Sequence, residues 1–344
     1  MVIKKEKHYL NSDEFRALLS DLQLLDELIG ANSVVIKPNF AAGTNADPQC
    51  HVMSDLNLLS NLIRNLYSVN PNARIIIAES DSTGHGFAYL KFEHLDLPQS
   101  LDLSAEIQKN VSLLDLTRDK LVRVENEGFR HFKDFDHQLY LSETMIRSDF
   151  FVSLSNLKMH TVTGYTGACK NLFGCLPDMD KSHMHTHIHD VIHDLVVAIQ
   201  PKLSIVDAFY GMEENGPVNG IDVDNHYILY GNSPVESDIY GASSAGTMPR
   251  TIKYIKLLSK RYGIDINCNS VAVIKQFKKP TRFVRAMNCI GLKIQVFGQM
   301  MALLGHRMHA CTNIVQVGIA FVRPILLKFF SIEKLRGMKR RIIK

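Results

Sequence analysis

Between Lys158 and Asn171 the chain places Lys158, His160, Thr161, Thr163, Thr166, Lys170 and Asn171 within fourteen residues, with Gly164 and Gly167 between them and Gly174 just beyond. Lysine supplies countercharge for an anion, and glycine lets backbone N–H groups approach one closely. A histidine between Lys158 and Thr161 titrates near neutrality and can serve as general acid or base. The segment follows an apolar run, Phe150, Phe151, Val152 and Leu154, that reads as a strand leaving through Ser155-Asn156. Open α/β sheets hold ligands at the carboxyl ends of their strands, so the spacing predicts an anion or phosphate site here. Lys158 and His160 are its catalytic candidates, and Thr166, Lys170 and Asn171 its ligand-binding ones.

Other strand ends should border the same crevice. Ser33 to Lys37 is a β-branched strand stopped by Pro38-Asn39, which offers Lys37 and Asn39, followed by a polar loop with Thr44 and Asn45. The strand Arg74 to Ala78 ends at Glu79, Ser80 and Asp81, then Gly84-His85-Gly86; Asp81 is the third catalytic candidate. Leu203 to Val206 is a strand capped by Asp207, and the loop from Gly211 to Gly220 has strong turn chemistry at Asn215-Gly216-Pro217. Asn215 joins the ligand-binding candidates.

A histidine tract forms a separate candidate. His183, His185, His187, His189 and His193 lie within eleven residues, among Asp180, Asp190 and Asp194. In a helix His189 and His193 share a face at i,i+4, a spacing that can hold a divalent metal through imidazole and carboxylate. The proposed ligands are His185, His189, His193 and Asp207. The competing reading is a helix start whose inward stripe, Ile188, Val191, Ile192 and Leu195, leaves some of these histidines to solvent.

Several chemistries lack their residues. No GxxxxGK[ST] or GxGxxG pattern is present, so a P-loop and a standard dinucleotide fold have no support. The six cysteines (Cys50, Cys169, Cys175, Cys268, Cys289, Cys311) include no CxxC pair, which argues for buried thiols and against a zinc ribbon or a ferredoxin cluster.

The elements that must position these residues alternate. Helices are predicted over 12–30 (with Ser12 as N-cap), 54–67, from 186 to Pro201, 233–245 and 249–262; further strands over 111–116 and 227–230; and short peripheral strands or a hairpin over 119–137. Such alternation means βαβ units: an α/β fold with a mostly parallel, twisted sheet and helices on both faces, plus a C-terminal helical extension. The division falls at about 280. Residues 281–344 carry twelve Lys/Arg against one acid, Glu333, a net of +11 that leaves −7 on residues 1–280. Their longest uncharged run, thirteen residues from Ala310 to Val322, is too short to cross a bilayer. These basic helices either close over the sheet or meet a membrane surface or an acidic partner. They show no interleaved aromatics for nucleic acid. The opening MVIKKEKHYL has no secretory apolar run, so a cytoplasmic location is expected, with the extension as the route to a membrane surface.

Several segments in order resemble the family catalogued as domain of unknown function 362: VVIKPN at 34–39, AESD at 78–81, SNLKMH at 155–160, TGACKNLFGCLP at 166–177, IVDAFYGMEENGPVNG at 205–220 and NSPVESDIYGA at 232–242. The resemblance covers roughly residues 30–250, and KNLFG and GMEENGP are its most specific parts. Many members carry a ferredoxin-like iron–sulfur module, so the resemblance implies a redox link and a redox partner protein. This chain has no clustered C-terminal cysteines, and no iron–sulfur cluster is expected in it. Two readings follow. One is an enzyme for a small anionic substrate, metal-assisted or redox-linked. The other is a non-catalytic ligand-binding or scaffold protein docked through its basic helices.

Overall fold

The computed structural model describes residues 1–40, 51–82, 87–97, 99–134, 137–218, 220–267, 271 and 273–281. The candidates Thr44 and Asn45, the Gly84-His85-Gly86 segment and the predicted extension beyond Thr281 lie outside them. The described residues form eleven strands: β1 (Val2–Lys5), β2 (Ser33–Lys37), β3 (Arg74–Glu79), β4 (Val111–Asp115), β5 (Leu121–Val124), β6 (Leu139–Ser142), β7 (Phe150–His160), β8 (Gly164–Thr166), β9 (Leu203–Glu213), β10 (Ile221–Asp224) and β11 (Ile228–Gly231). The helices are α1 (Ser12–Asp21), α2 (Leu25–Ile29), α3 (Leu56–Val69), α4 (Ala88–His94), α5 (Ala105–Gln108), α6 (Glu143–Ile146), α7 (Ala168–Asn171), α8 (Ile188–Ile199), α9 (Pro234–Ser244) and α10 (Lys253–Tyr262).

The main sheet runs β1-β11-β9-β7-β2-β3-β4, and five consecutive strands, β9, β7, β2, β3 and the edge strand β4, are mutually parallel. Runs such as SVVIK and RIIIA suit this position, because a parallel strand covered on both faces must be apolar on both. Two cores flank the sheet. One packs Val34, Ile36, Ile75, Ile77 and Phe150 beneath α1 and α3; the other packs Val35, Ile76, Phe151 and Leu157 beneath α7, α8, α9 and α10. The α/β expectation therefore holds, with helices on both faces.

After β1 at the far edge, the chain enters the parallel strands at β2 and builds outward through β3 to β4, then returns to the other side of β2 with β7 and continues to β9. The order reverses between β2 and β7. At such a reversal the connections leave in opposite directions, and the carboxyl ends open a crevice.

Several local expectations change. The 12–30 helix is two helices, interrupted where Gln23 takes a left-handed φ of 60°, and its cap is Asn11 in a capping box with Glu14 rather than Ser12. β7 continues to His160, so Lys158 and His160 sit on a strand and not in a loop. β9 runs through Asp207 to Glu213, and the following loop turns the chain into β10, antiparallel to it. The peripheral hairpin pairs β5 with β6. β1 pairs antiparallel with β11, and neither β1 nor β10 was expected.

Candidate functional site

β2 and β7 are tied together where they diverge. The Asn171 side-chain amide donates to the carbonyls of Lys37 (2.9 Å) and Leu154 (3.3 Å) and to Ser153 Oγ (3.2 Å). Asn39 donates to Asn156 Oδ1 at 3.1 Å. Both asparagines are buried, and the Asn171 N–H groups serve the backbone. Predicted as ligand groups, they instead tie β2 to β7 at the switch point.

Beside this tie four lysines converge. Lys37 Nζ donates to the carbonyl of Pro38 at 2.7 Å and pairs with Glu79 Oε2 at 3.2 Å. Lys91 Nζ donates to the carbonyl of Ser80 at 2.9 Å and lies 3.8 Å from Glu79 Oε1. Lys181 Nζ donates to Ser80 Oγ at 3.1 Å and to the carbonyl of Asp81. Lys170 Nζ sits 4.6 Å from the Phe173 ring centroid and lies close enough to Lys37 and Lys181 to feel their charge. Gly174 lets the chain pass over Lys37: a Cβ there would stand 3.0 Å from Nζ.

The electrostatics are one-sided. Among the described residues Glu79 is the carboxylate that ion-pairs with this cluster. Burial opposes its ionisation, but Lys37 and Lys91 hold it below the usual carboxylate range. Burial, reinforced by Lys37 and Lys181, lowers Lys170 to about 8; burial with Lys91 and Lys37 nearby brings Lys181 to about 8 against the opposing pull of Glu79. Both ammoniums remain mostly protonated at pH 7; Glu79 and Asp178 act on Lys181, whereas only lysine charges act on Lys170.

His160 adjoins the same cluster. It is buried, and its value falls well below the ordinary one, first through burial and then through Lys170, with smaller effects from His185, Lys158 and His189. Lys158 points elsewhere, donating to the carbonyl of Val52. Its charge reaches Asp207, which burial pushes up to about 7 and which accepts from the Phe209 amide at 3.0 Å. Thr166 pairs with Lys158 across the β7–β8 ladder, and its hydroxyl is buried without a hydrogen-bond partner. The loop after β9 returns to the end of β7, where Thr161 N donates to the carbonyl of Gly216 at 3.2 Å; the neighbouring Asn215 Oδ1 is buried and unpartnered.

Two further predicted roles need correction. The Asp81 carboxylate accepts from Ala88 N at 2.7 Å and faces Arg118 at 3.4 Å, so it caps the start of α4; its carbonyl accepts from Lys181 and its charge acts on Lys91. The four proposed metal ligands are not brought together. His193 Nδ1 lies 2.8 Å from Asp194, whose carboxylate also accepts from the amides of Arg130, His131 and Phe132. Asp207 stands among Asp55, His51 and Lys158, none of them a member of the proposed set. His185 Nδ1 bonds the carbonyl of Lys181 at 2.8 Å, and His189 stacks on Tyr254. Among the described residues no group of three or more His, Cys, Asp or Glu side chains can hold a metal ion. The helical spacing was real, but the packing of α8 gave each imidazole a different neighbour.

Lys91, Lys181 and Asp238 were missed. Lys91 follows the strand end AESD on a short helix and Lys181 opens the histidine tract, so proximity to the strand ends was the available signal. Asp238 is buried in α9 and accepts from the amides of Ala168 (2.6 Å) and Cys169 (3.2 Å) and from the Tyr254 hydroxyl (3.1 Å), fixing the turn that carries Lys170. Gly167 lets that turn approach, since a Cβ there would collide with Asp238 and Tyr165. Cys169 and Cys175 are buried free thiols, and burial pushes Cys175 to about 12, which leaves it a packing group. A separate cavity of about 460 Å³, bordered by Gln23, Gln200, Lys202 and Asn232, opens at the opposite end of β9 and contains none of these lysines.

No helix among the described residues is long and apolar enough to cross a membrane. Comparison with known proteins finds 25% identity over 237 residues to a thylakoid-associated protein of Synechocystis sp., covering 63% of this chain and 67% of that protein. Among solved structures the chain is similar to the lactate racemase apoprotein of Thermoanaerobacterium thermosaccharolyticum, at 10% identity and a TM-score of 0.42. That likeness covers 71% of this chain and spans 57% of the racemase's length. A family model matches residues 34–243, more than half of the chain and including the whole β2–β7 crevice, and the chain therefore belongs to the family described as domain of unknown function (DUF362).

Proposed function

We propose that this protein is an enzyme that binds a small anionic substrate, a carboxylate or a phosphate, in the crevice between β2 and β7. The observation that carries the reading is the charge imbalance there: Lys37, Lys91, Lys170 and Lys181 share one paired carboxylate, Glu79. Burying unmatched ammonium groups costs stability, and an anion that enters recovers it. Lys170 is the residue that meets the ligand, because its ammonium forms no ion pair among the described residues and lies at the partly open edge of the crevice.

The reading is tested by isothermal titration of the full chain with inorganic phosphate, pyrophosphate and oxalate. At least one should bind, and Lys170→Met should weaken it tenfold or more. Because Lys170 and Lys181 lose their protons near pH 8, affinity should hold below that pH and fall between pH 8 and 9. Binding that ignores both Lys170 and pH would place the anion elsewhere.

A further inference from the structure

Two histidines beside Lys170 have their protons assigned by their backbone neighbours. His160 Nδ1 accepts from the amides of Val162 (3.0 Å) and Thr163 (3.2 Å). An amide N–H can only donate, so Nδ1 bears the lone pair and the neutral ring carries its proton on Nε2. His185 is the reverse. Its Nδ1 lies 2.8 Å from the carbonyl oxygen of Lys181, which can only accept, so Nδ1 carries the proton and Nε2 bears the lone pair. The edge-to-face contact with Phe173, centroids 4.8 Å apart, keeps the His185 ring in place.

The rings therefore offer complementary nitrogens, one an N–H donor and the other a proton acceptor. Both feel the Lys170 ammonium, and His160 feels His185. Burial first, and Lys170 second, keep both rings neutral, with His185 lowered to about 4. A neutral imidazole can act as a base or as an electrophilic donor without first losing a proton.

Building on the anion-binding reading, we propose that His185 Nε2 is the general base and His160 Nε2–H the oxyanion donor of a proton-transfer reaction on a small anionic carbonyl compound held by Lys170. His185 takes a proton from the carbon next to the carbonyl. The C–H electron pair becomes the new C=C bond, and the carbonyl pair moves onto oxygen, where His160 N–H and the lysine stabilise it. The imidazolium of His185 exchanges its proton with water and returns one to the same carbon, while the oxygen pair re-forms the carbonyl, so the net change is a C–H exchange that needs no reactant besides water. The anionic group is a carboxylate or a phosphate, and the substrates tested separate the two.

The experiment uses the full chain in deuterium oxide with pyruvate, 2-oxobutyrate and dihydroxyacetone phosphate, following loss of the C–H signals by NMR. Exchange above buffer is expected with the oxo acids or with the phosphate ester. His185→Gln should slow it a hundredfold or more with phosphate affinity unchanged within about twofold, the range expected for loss of a general base. His160→Gln keeps an N–H donor and should retain more exchange than His160→Ala. Long-range ¹⁵N–¹H spectra should place the proton on Nε2 of His160 and on Nδ1 of His185. Opposite tautomers, exchange that survives His185→Gln, or no exchange in any of the three compounds overturns the acid–base assignment. If phosphate still binds in that case, the anion site stands without it; if phosphate fails to bind, the anion reading itself falls.

Discussion

Lys170 stacks its ammonium on Phe173 while Lys37 and Lys181 repel it. Its folded value lies below the ordinary lysine value, so it opposes folding wherever it is protonated in both states. That penalty is full below about pH 8 and is relieved as pH rises from there towards 10.5. Lys170→Met should therefore raise the stability of the ligand-free protein at pH 7, by about 1 kcal/mol once solvent at the crevice edge is allowed for. Urea unfolding at pH 7 measures this, and the gain should vanish above pH 10. A stabilising change that removes affinity marks a residue kept for its ligand.

At the scale of elements, two buried carboxylates hold two segments, and only one segment carries the site. Asp238 anchors α7 through the Ala168 and Cys169 amides; Asp194 anchors residues 130–132 through three amides and His193. Removing either acceptor strands buried donors, at about 3 kcal/mol. Asp194→Ala should lower the unfolding free energy by that amount and leave phosphate affinity unchanged. Asp238→Ala should lower both, because α7 positions Lys170 and Asn171. Comparing calorimetric stability with affinity for the pair separates a scaffold residue from a site-positioning one.

The whole molecule should be acid-sensitive. Burial lowers His131, His185 and His189 to about 4 and holds His160 well below its ordinary value, so the unfolded chain binds these protons first. Stability is unaffected by them above pH 6.5 and is lost as pH falls from 6.5 to about 4. Asp207 and Asp238, both raised to about 7, act in the opposite sense over the same window. These imidazoles, joined by His8, which burial also lowers, outweigh the two carboxyls, so the thermal midpoint should be lower at pH 5 than at pH 7. His131→Gln should reduce that difference. A midpoint that rises on acidification would show the carboxyl pair to dominate.

The sequence alone determined the alternation of strands and helices, since SVVIK, RIIIA and the stripe Leu59, Leu62, Ile63 and Leu66 can be buried in few other ways. It also determined that basic groups gather near strand ends, because Lys37 and Lys170 adjoin apolar strands or glycine-rich turns. Only the tertiary structure decided which of these groups meet. Strand order brought β2 beside β7 across the reversal, and no local pattern encodes that adjacency. It set Lys91 from the next helix and Lys181 from a distant segment against Glu79, turned Asp81 into a helix cap and dispersed the histidines of α8 among separate partners. A side chain's chemistry is local, but its partners are chosen by packing of elements far apart along the chain, and partners decide whether a lysine binds a ligand, pairs with a carboxylate or holds a backbone carbonyl.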